Sequence, residues 1–319
     1  MTDIVSQGAR FGAAGLFRLP LRVHPEDDEP ILSLLVRLSE ENRFTKVCSF
    51  TRLIRLPTAG IHMVAERPVH LAALAAASGL TENRLQYMQY QRVSSTHVAW
   101  LGRPIHRSLV HSKHRRWCPA CLEEVPYHRA AWDLLPIGVC HRHKLALACL
   151  CPACGNEVGW PGKMVACRCG GDLRRSPHRP VSESAAGAVR DLLEWLWVDA
   201  ERGAEVMVLA TTLGWLSNQG RCEPPYKRTL RQSLDRRAQD LEIGWAALQD
   251  WPDGFNEYLN RHFPPDRAQW PFVRWLGRRY QGPLKGEMSA AVTARSLAAG
   301  RSEHRAKEFC GPLHADHPQ

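Results

Sequence analysis

Residues 118–169 hold eight of the chain's eleven cysteines, and their spacing is that of metal ligands. Cys118-Pro119-Ala120-Cys121 is followed, after 18 residues, by Cys140-His141-Arg142-His143. A tetrahedral zinc takes four nitrogen or sulfur donors, and two residues between paired ligands let a tight turn aim both at one ion. Cys118, Cys121, Cys140 and His143 form the expected set. His141 competes for the fourth place, but Cys-x-x-His repeats the loop geometry better than Cys-His.

A second set follows: Cys151-Pro152-Ala153-Cys154-Gly155, eleven residues, then Cys167-Arg168-Cys169-Gly170. Glycines directly after Cys154 and Cys169 suit the positive φ that closes such turns. Cys149 is a spare thiol close enough in sequence to replace Cys151. Catalytic zinc keeps an open position beside three protein ligands, whereas each set here supplies four donors. No His-Glu-x-x-His motif occurs, and no glutamate lies two residues after a ligand histidine as zinc deaminases require. The expected cofactors are therefore two structural Zn2+ ions, with no catalytic residue assigned. Their binding free energy is folding energy, on the order of 10 kcal/mol or more per site.

The flanking elements read as helical. Ile31, Leu34, Leu35 and Leu38 recur at helical spacing, with Pro30 suited to the first helical position of a helix over 30–42. Residues 71–90 predict two helices around a turn. Ala75 falls where only a small side chain fits, Gly79 at the turn, and Thr81 at the N-cap of the second helix. Glu82, Asn83, Gln86, Tyr87 and Gln89 would form its outer face, as in a DNA-recognition helix. The pattern also fits an ordinary helical hairpin, and Glu82 would favour a protein over phosphate. Val189, Leu192, Leu193 and Leu196 begin a further helical stripe, and Leu230, Leu234, Ala238, Leu241, Trp245 and Leu248 continue it. Pro252 is expected to open the next helix.

Charge adds a direction. Lys and Arg total 42 against 32 Asp and Glu, a net +10. Between Glu82 and Glu123 there is no acidic residue. Arg84, Arg92, Arg103, Arg107, Lys113, Arg115 and Arg116 fall in that gap, a stretch that would neutralise phosphates. With Asn83, Gln86 and Tyr87 they are the candidate contacts to nucleic acid or to an effector. A second basic group is Lys227, Arg228, Arg231, Arg236 and Arg237. No uncharged stretch reaches the ~18 residues of a membrane span, and the first residues lack a signal-peptide pattern. A cytoplasmic location is expected, with no membrane partner.

The fold class expected is mainly α: an N-terminal helix-turn-helix domain, a tandem zinc-finger module and a C-terminal helical domain. The divisions are a flexible arm over 1–18, the first domain over 19–116 and the zinc module over 117–171. A linker over 172–182, helices over 183–300 and a flexible tail over 301–319 complete the chain.

Several of these residues together resemble the TniQ/TnsD family of transposition target-selection proteins. Leu19-Pro20-x-Arg22-x-x-Pro25, Glu29, Leu32-Ser33, Arg37-Leu38 and Asn42 are similar to its N-terminal signature. Trp117-Cys118-Pro119-x-Cys121, Tyr127-x-Arg129-x-x-Trp132-x-Leu134 and the later cysteine pairs resemble its double zinc finger. Trp251-Pro252-x-Gly254-Phe255 resembles its C-terminal region, so the likeness runs over about residues 19–280. Pro30 departs from the serine common at that place.

The resemblance implies a non-catalytic adaptor. It would read a target, either DNA or a CRISPR Cascade effector with its guide RNA, and recruit an AAA+ ATPase that licenses the transposase. It implies that Leu19, Pro20, Arg22 and Glu29 face the ATPase, and that a homodimer forms on a CRISPR effector. The competing class is a zinc-containing helix-turn-helix transcription regulator, which would leave the N-terminal signature unexplained.

Overall fold

The computed structural model describes residues 18–54, 56, 71–160, 162–219, 234–263, 276 and 284–298. The chain is mainly helical, with ten α-helices and two short hairpins among these residues. Residues 1–17 of the stretch read as an arm, the stretch read as a tail, Leu230, and the basic residues Lys227, Arg228 and Arg231 lie outside the described residues.

Helix α1 spans Ile31–Glu41. Pro30 precedes it as the N-cap with extended backbone (ψ 156°), so the helix begins one residue later than its sequence suggests. Ile31, Leu34, Leu35 and Leu38 are fully buried along one face. Each contributes on the order of 2 kcal/mol by leaving water. Asn42 ends the helix, its Nδ2 donating to the carbonyls of Leu38 (2.9 Å) and Leu21 (2.8 Å). Helix α2 covers Val47–Leu53 and packs on α1.

Helices α3 (Leu71–Ser78) and α4 (Glu82–Tyr87) are the pair foreseen around a turn. Gly79 turns between them at φ +75°, and Thr81 Oγ1 accepts from the Arg84 N–H at 3.2 Å. The Ile31 N–H donates to Met88 O and the Leu19 N–H to Ala77 O, both at 2.9 Å, which fixes α1 and the segment before it on this pair.

A hairpin that the helical reading passed over comes next. Strands β1 (His97–Trp100) and β2 (Arg103–His106) pair antiparallel with Trp100 opposite Arg103. The two-residue loop Leu101-Gly102 has φ of +46° and +73°, the doubly positive turn that matches strand twist. Short helix α5 (Pro119–Glu124) and the hairpin β3 (Val139–Cys140) with β4 (Leu145–Ala146) build the cysteine region.

From Glu183 on, the described residues form helices: α6 (Glu183–Val198), α7 (Ala200–Gln219), α8 (Leu234–Gln249), α9 (Asp253–His262) and α10 (Lys285–Ala298). Ser182 caps α6 through a 3.1 Å bond from the Ala185 N–H. Pro252 is the N-cap of α9, next to the helical position expected for it. Helices α7 and α8 cross at two glycines. A Cβ on Gly214 would strike the Asp240 carbonyl, and one on Gly244 the Ala210 carbonyl.

One buried apolar cluster runs from Leu19 through Trp117, Cys118 and Leu147 to Leu241 and Trp245. The cysteine region is thus continuous with the core on both sides. Within the stretch read as a linker, 172–182, Leu173 reaches this core: it is fully buried, and Trp117 Nε1 donates to its carbonyl at 3.1 Å. A second cluster joins Leu213, Phe255, Leu259 and Met288 of the last helices.

Candidate metal centres and the surfaces around them

The backbone brings each cysteine set to a point. Cys118, at the N-cap of α5, and Cys121, in its first turn, face the β3–β4 knuckle that carries Cys140 and His143. Cys121 Sγ lies 3.6 Å from Cys140 Sγ. His143 Nδ1 lies 3.6, 3.2 and 3.6 Å from the sulfurs of Cys118, Cys121 and Cys140. Around a tetrahedral zinc with Zn–S near 2.3 Å and Zn–N near 2.0 Å, neighbouring donors sit about 3.5–3.8 Å apart. The set fits that ion. His143, rather than its rival His141, joins the cysteines.

Hydrogen bonds from Cys118 and Cys121 hold the Cys140 thiol low against its burial, and the same contacts push the Cys118 thiol up, so the sulfurs share their protons as one cluster. A thiolate is the form a metal takes. On the far side of the His143 ring, Nε2 lies 2.8 Å from Glu124 Oε1. Sequence spacing gave no sign of this carboxylate, which comes from the end of α5.

The second set is Cys151, Cys154, Cys167 and Cys169, with donor sulfurs within 4.8 Å of one another. Cys151 and Cys169 are 3.6 Å apart, and Cys154 and Cys167 3.9 Å. Gly155 and Gly170 take φ of +70° and +88°, as the turns require. Cys149 stands outside the group; burial pushes its thiol up. The two sets differ in setting. Cys118, Cys121 and Cys140 are buried in the core, whereas Cys154 and Cys169 are exposed. Each group could hold a metal ion, and both donor sets are consistent with zinc.

The basic run divides on folding. Arg92, Arg107 and Lys113 are exposed, and Arg103 is half-buried with its guanidinium 4.0 Å over the Trp197 ring. Asn83 and Gln86 are exposed on α4, with Arg84 and Tyr87 partly so. Arg115 and Arg116 are a correction: they are buried (1% and 4% exposed) and spent on carbonyls. Arg115 donates to Lys163 O at 2.7 Å, and Arg116 to Ile137 O and Leu134 O, each at 2.9 Å. They staple the cysteine region and are not available to phosphate. Gln89, expected on the outer face of α4, is fully buried as well.

The N-terminal candidates divide in the same way. Pro20 and Arg22 are exposed, but Leu19 (3% exposed) and Glu29 (fully buried) present nothing to a partner. Glu29 instead receives Ser33 Oγ at 2.6 Å and Arg37 Nη1 at 2.5 Å. Ser33 Oγ also accepts the His128 N–H at 3.0 Å. Next to it, Asp28 accepts from Tyr127 Oη at 2.8 Å and from Arg129 Nη1 at 3.2 Å. The acidic run thus clasps the metal region to α1. Burial pushes the Glu29 carboxyl up against the opposing pull of Arg37.

These features define a class: a mainly helical protein with two four-donor cysteine sets at its middle, each able to hold a metal ion. Residues 20–147 match the family model described as TniQ, so that segment carries a TniQ domain. That segment contains the α3–α4 pair and the whole first donor set. A TniQ domain implies a transposition-associated role in target selection. No curated protein matches the chain. No helix among the described residues is long and apolar enough to cross a membrane.

Proposed function

We propose that this protein is the target-selection adaptor of a transposition system, joining a target to an AAA+ ATPase that recruits the transposase. The observation that carries the reading is the coincidence of the TniQ match, residues 20–147, with the unit clasped by Glu29, Ser33 and Asp28. The target is DNA or a CRISPR effector bound to DNA. Asn83, Gln86, Arg92, Arg103, Arg107 and Lys113 are the residues proposed to meet it, with Arg84 and Tyr87 at their edge. Pro20 and Arg22 remain the exposed part of the proposed ATPase-facing segment. We read both metals as structural zinc, because four protein donors leave no position for a reacting water. On this reading the chain is not an enzyme, and ATP hydrolysis and strand transfer belong to its partners.

The test is a pull-down of the ATPase encoded beside this chain, with and without target DNA and any Cascade complex. Capture that strengthens with the target supports the adaptor reading. DNA binding with no ATPase capture under any condition favours the transcription regulator.

A further inference from the structure

The two donor sets differ in what can reach them. Cys118, Cys121 and Cys140 of the first are at most 2% exposed and sit inside the continuous core. In the second set Cys154 and Cys169 are exposed. Cys151, only 2% exposed, lies beside Cys169 with the sulfurs 3.6 Å apart. Cys167 stands in the same relation to Cys154, at 3.9 Å. The backbone N–H groups of Ala153 and Gly171 donate to the Cys151 and Cys169 sulfurs at 3.4 Å each, so their own turns hold these two in place. Each exposed sulfur thus has a less exposed one within reach.

We propose that the second set is an oxidation site: a hydroperoxide converts its four cysteines to two disulfides, Cys151–Cys169 and Cys154–Cys167, and the knuckle gives up its metal. On the zinc reading of that set, which this inference rests on, its sulfurs are thiolates, and sulfur oxidation follows thiolate character and access. Cys169 Sγ attacks one peroxide oxygen, the O–O bond breaks, and hydroxide leaves to become water with a proton from solvent. Cys151 Sγ then attacks the sulfur of this sulfenic acid. The S–S bond forms, the S–O bond breaks, and the second oxygen leaves likewise as water. Two thiolates have lost two electrons, and one peroxide has become two waters. A second peroxide does the same at Cys154 and Cys167. Disulfide sulfurs no longer carry the charge that holds zinc. The first set escapes, because its three sulfurs are closed off by the core and its fourth donor is His143, which forms no disulfide. The first set then keeps the fold while the second responds to oxidant.

The test treats the full zinc-loaded chain, purified without oxygen, with hydrogen peroxide beside a chromophoric chelator, and maps disulfides by alkylation and mass spectrometry. One zinc per chain should be released roughly 10-fold or more faster than the other. The peptides should carry Cys151–Cys169 and Cys154–Cys167 disulfides, with Cys118, Cys121 and Cys140 still present as thiols. Catalase should suppress the release, and dithiothreitol with added zinc should restore two zincs per chain. The map also separates these bonds from oxidation at Cys48, Cys149, Cys222 or Cys310. Equal release from both sites, release that catalase does not slow, or release with other cysteines paired or the four sulfurs still reduced overturns the proposal. A chain that holds zinc at the first set alone before peroxide fails the zinc reading and the proposal together. A chain with two zincs and no preferential release fails the proposal alone, so the two failures are distinguishable.

Discussion

Glu124 Oε1 lies 2.8 Å from His143 Nε2, the ring nitrogen opposite the one that faces Cys118, Cys121 and Cys140. A carboxylate in that place fixes the ring and its tautomer so that Nδ1 carries the lone pair. Arg142 Nη2, 3.3 Å from the other carboxylate oxygen, steadies Glu124 in turn. Glu124→Ala should therefore weaken zinc at the first site about 10–100-fold while leaving the second site unchanged. Competition with a chromophoric chelator, which resolves the two release steps, measures this; equal loss from both sites would contradict it.

The order of metal loss follows from burial. The second set has two exposed cysteines and the first has three buried in the core. A chelator should strip the second site first with little change in the core, and the first site later with cooperative unfolding around residues 118–170. The second step carries the larger free energy, on the order of 10 kcal/mol. Hydrogen exchange followed during stepwise chelation reads this directly. A chain whose exchange pattern is the same with and without metal would refute it.

How much of this was open to sequence reading depended on range. Donor spacings, Gly79, Thr81, Gly155 and Gly170 are local signals, because the turn that needs each residue is built from its own neighbours. Solvent exposure is a tertiary property. Arg115, Arg116, Leu19, Glu29 and Gln89 carry charge, motif or helical position that points outward, and only packing puts them inside. The Glu124–His143 contact is likewise made between separate elements, the end of α5 and the β3–β4 knuckle. The β1–β2 hairpin did leave a trace: Leu101-Gly102 between two short β-prone runs is the signal that would have found it.

The split in the basic run can be tested. Arg103→Glu with Arg107→Glu should leave the fold intact and lower the salt dependence of DNA binding by about two phosphate contacts. Arg116→Glu should instead destabilise the chain by roughly 3–5 kcal/mol, since a buried carboxylate would face the Leu134 and Ile137 carbonyls. Filter binding over a salt series and urea melts separate the two effects. Unchanged affinity at low salt in the double variant would count against the surface run.

His111 supplies a pH dependence. Burial first, then Arg116 and His114, push its pKa down to about 4, with Asp133 pulling the other way and Arg237 adding to the fall. An unfolded histidine titrates near 6.5, so between about pH 6.5 and 4 the unfolded chain binds the extra proton. The neutral ring thus contributes stability that is full above about pH 6.5 and lost as pH falls toward 4. Its size is on the order of 1–2 kcal/mol after allowance for partial exposure. His111→Asn should flatten that part of the stability curve, measured by urea melts between pH 7 and 5. A variant with the same slope as wild type would show that His111 does not contribute.

The crossing of α7 and α8 has no room at its glycines. Gly244→Ala would drive a methyl into the Ala210 backbone carbonyl, which a helix cannot move aside cheaply. The expected loss is about 3 kcal/mol or more. Gly286→Ala on α10, where a Cβ meets nothing within 4 Å, is the matched control and should not destabilise.

The central claim is that this chain chooses where insertion occurs. Sequencing of insertion junctions in cells carrying the transposon, its ATPase and its transposase, with or without this chain, tests that most directly. The account predicts insertions concentrated at one target with the intact chain, and loss of that concentration when it is absent or carries Cys118→Ser. An unchanged distribution of insertion sites without the chain would contradict it.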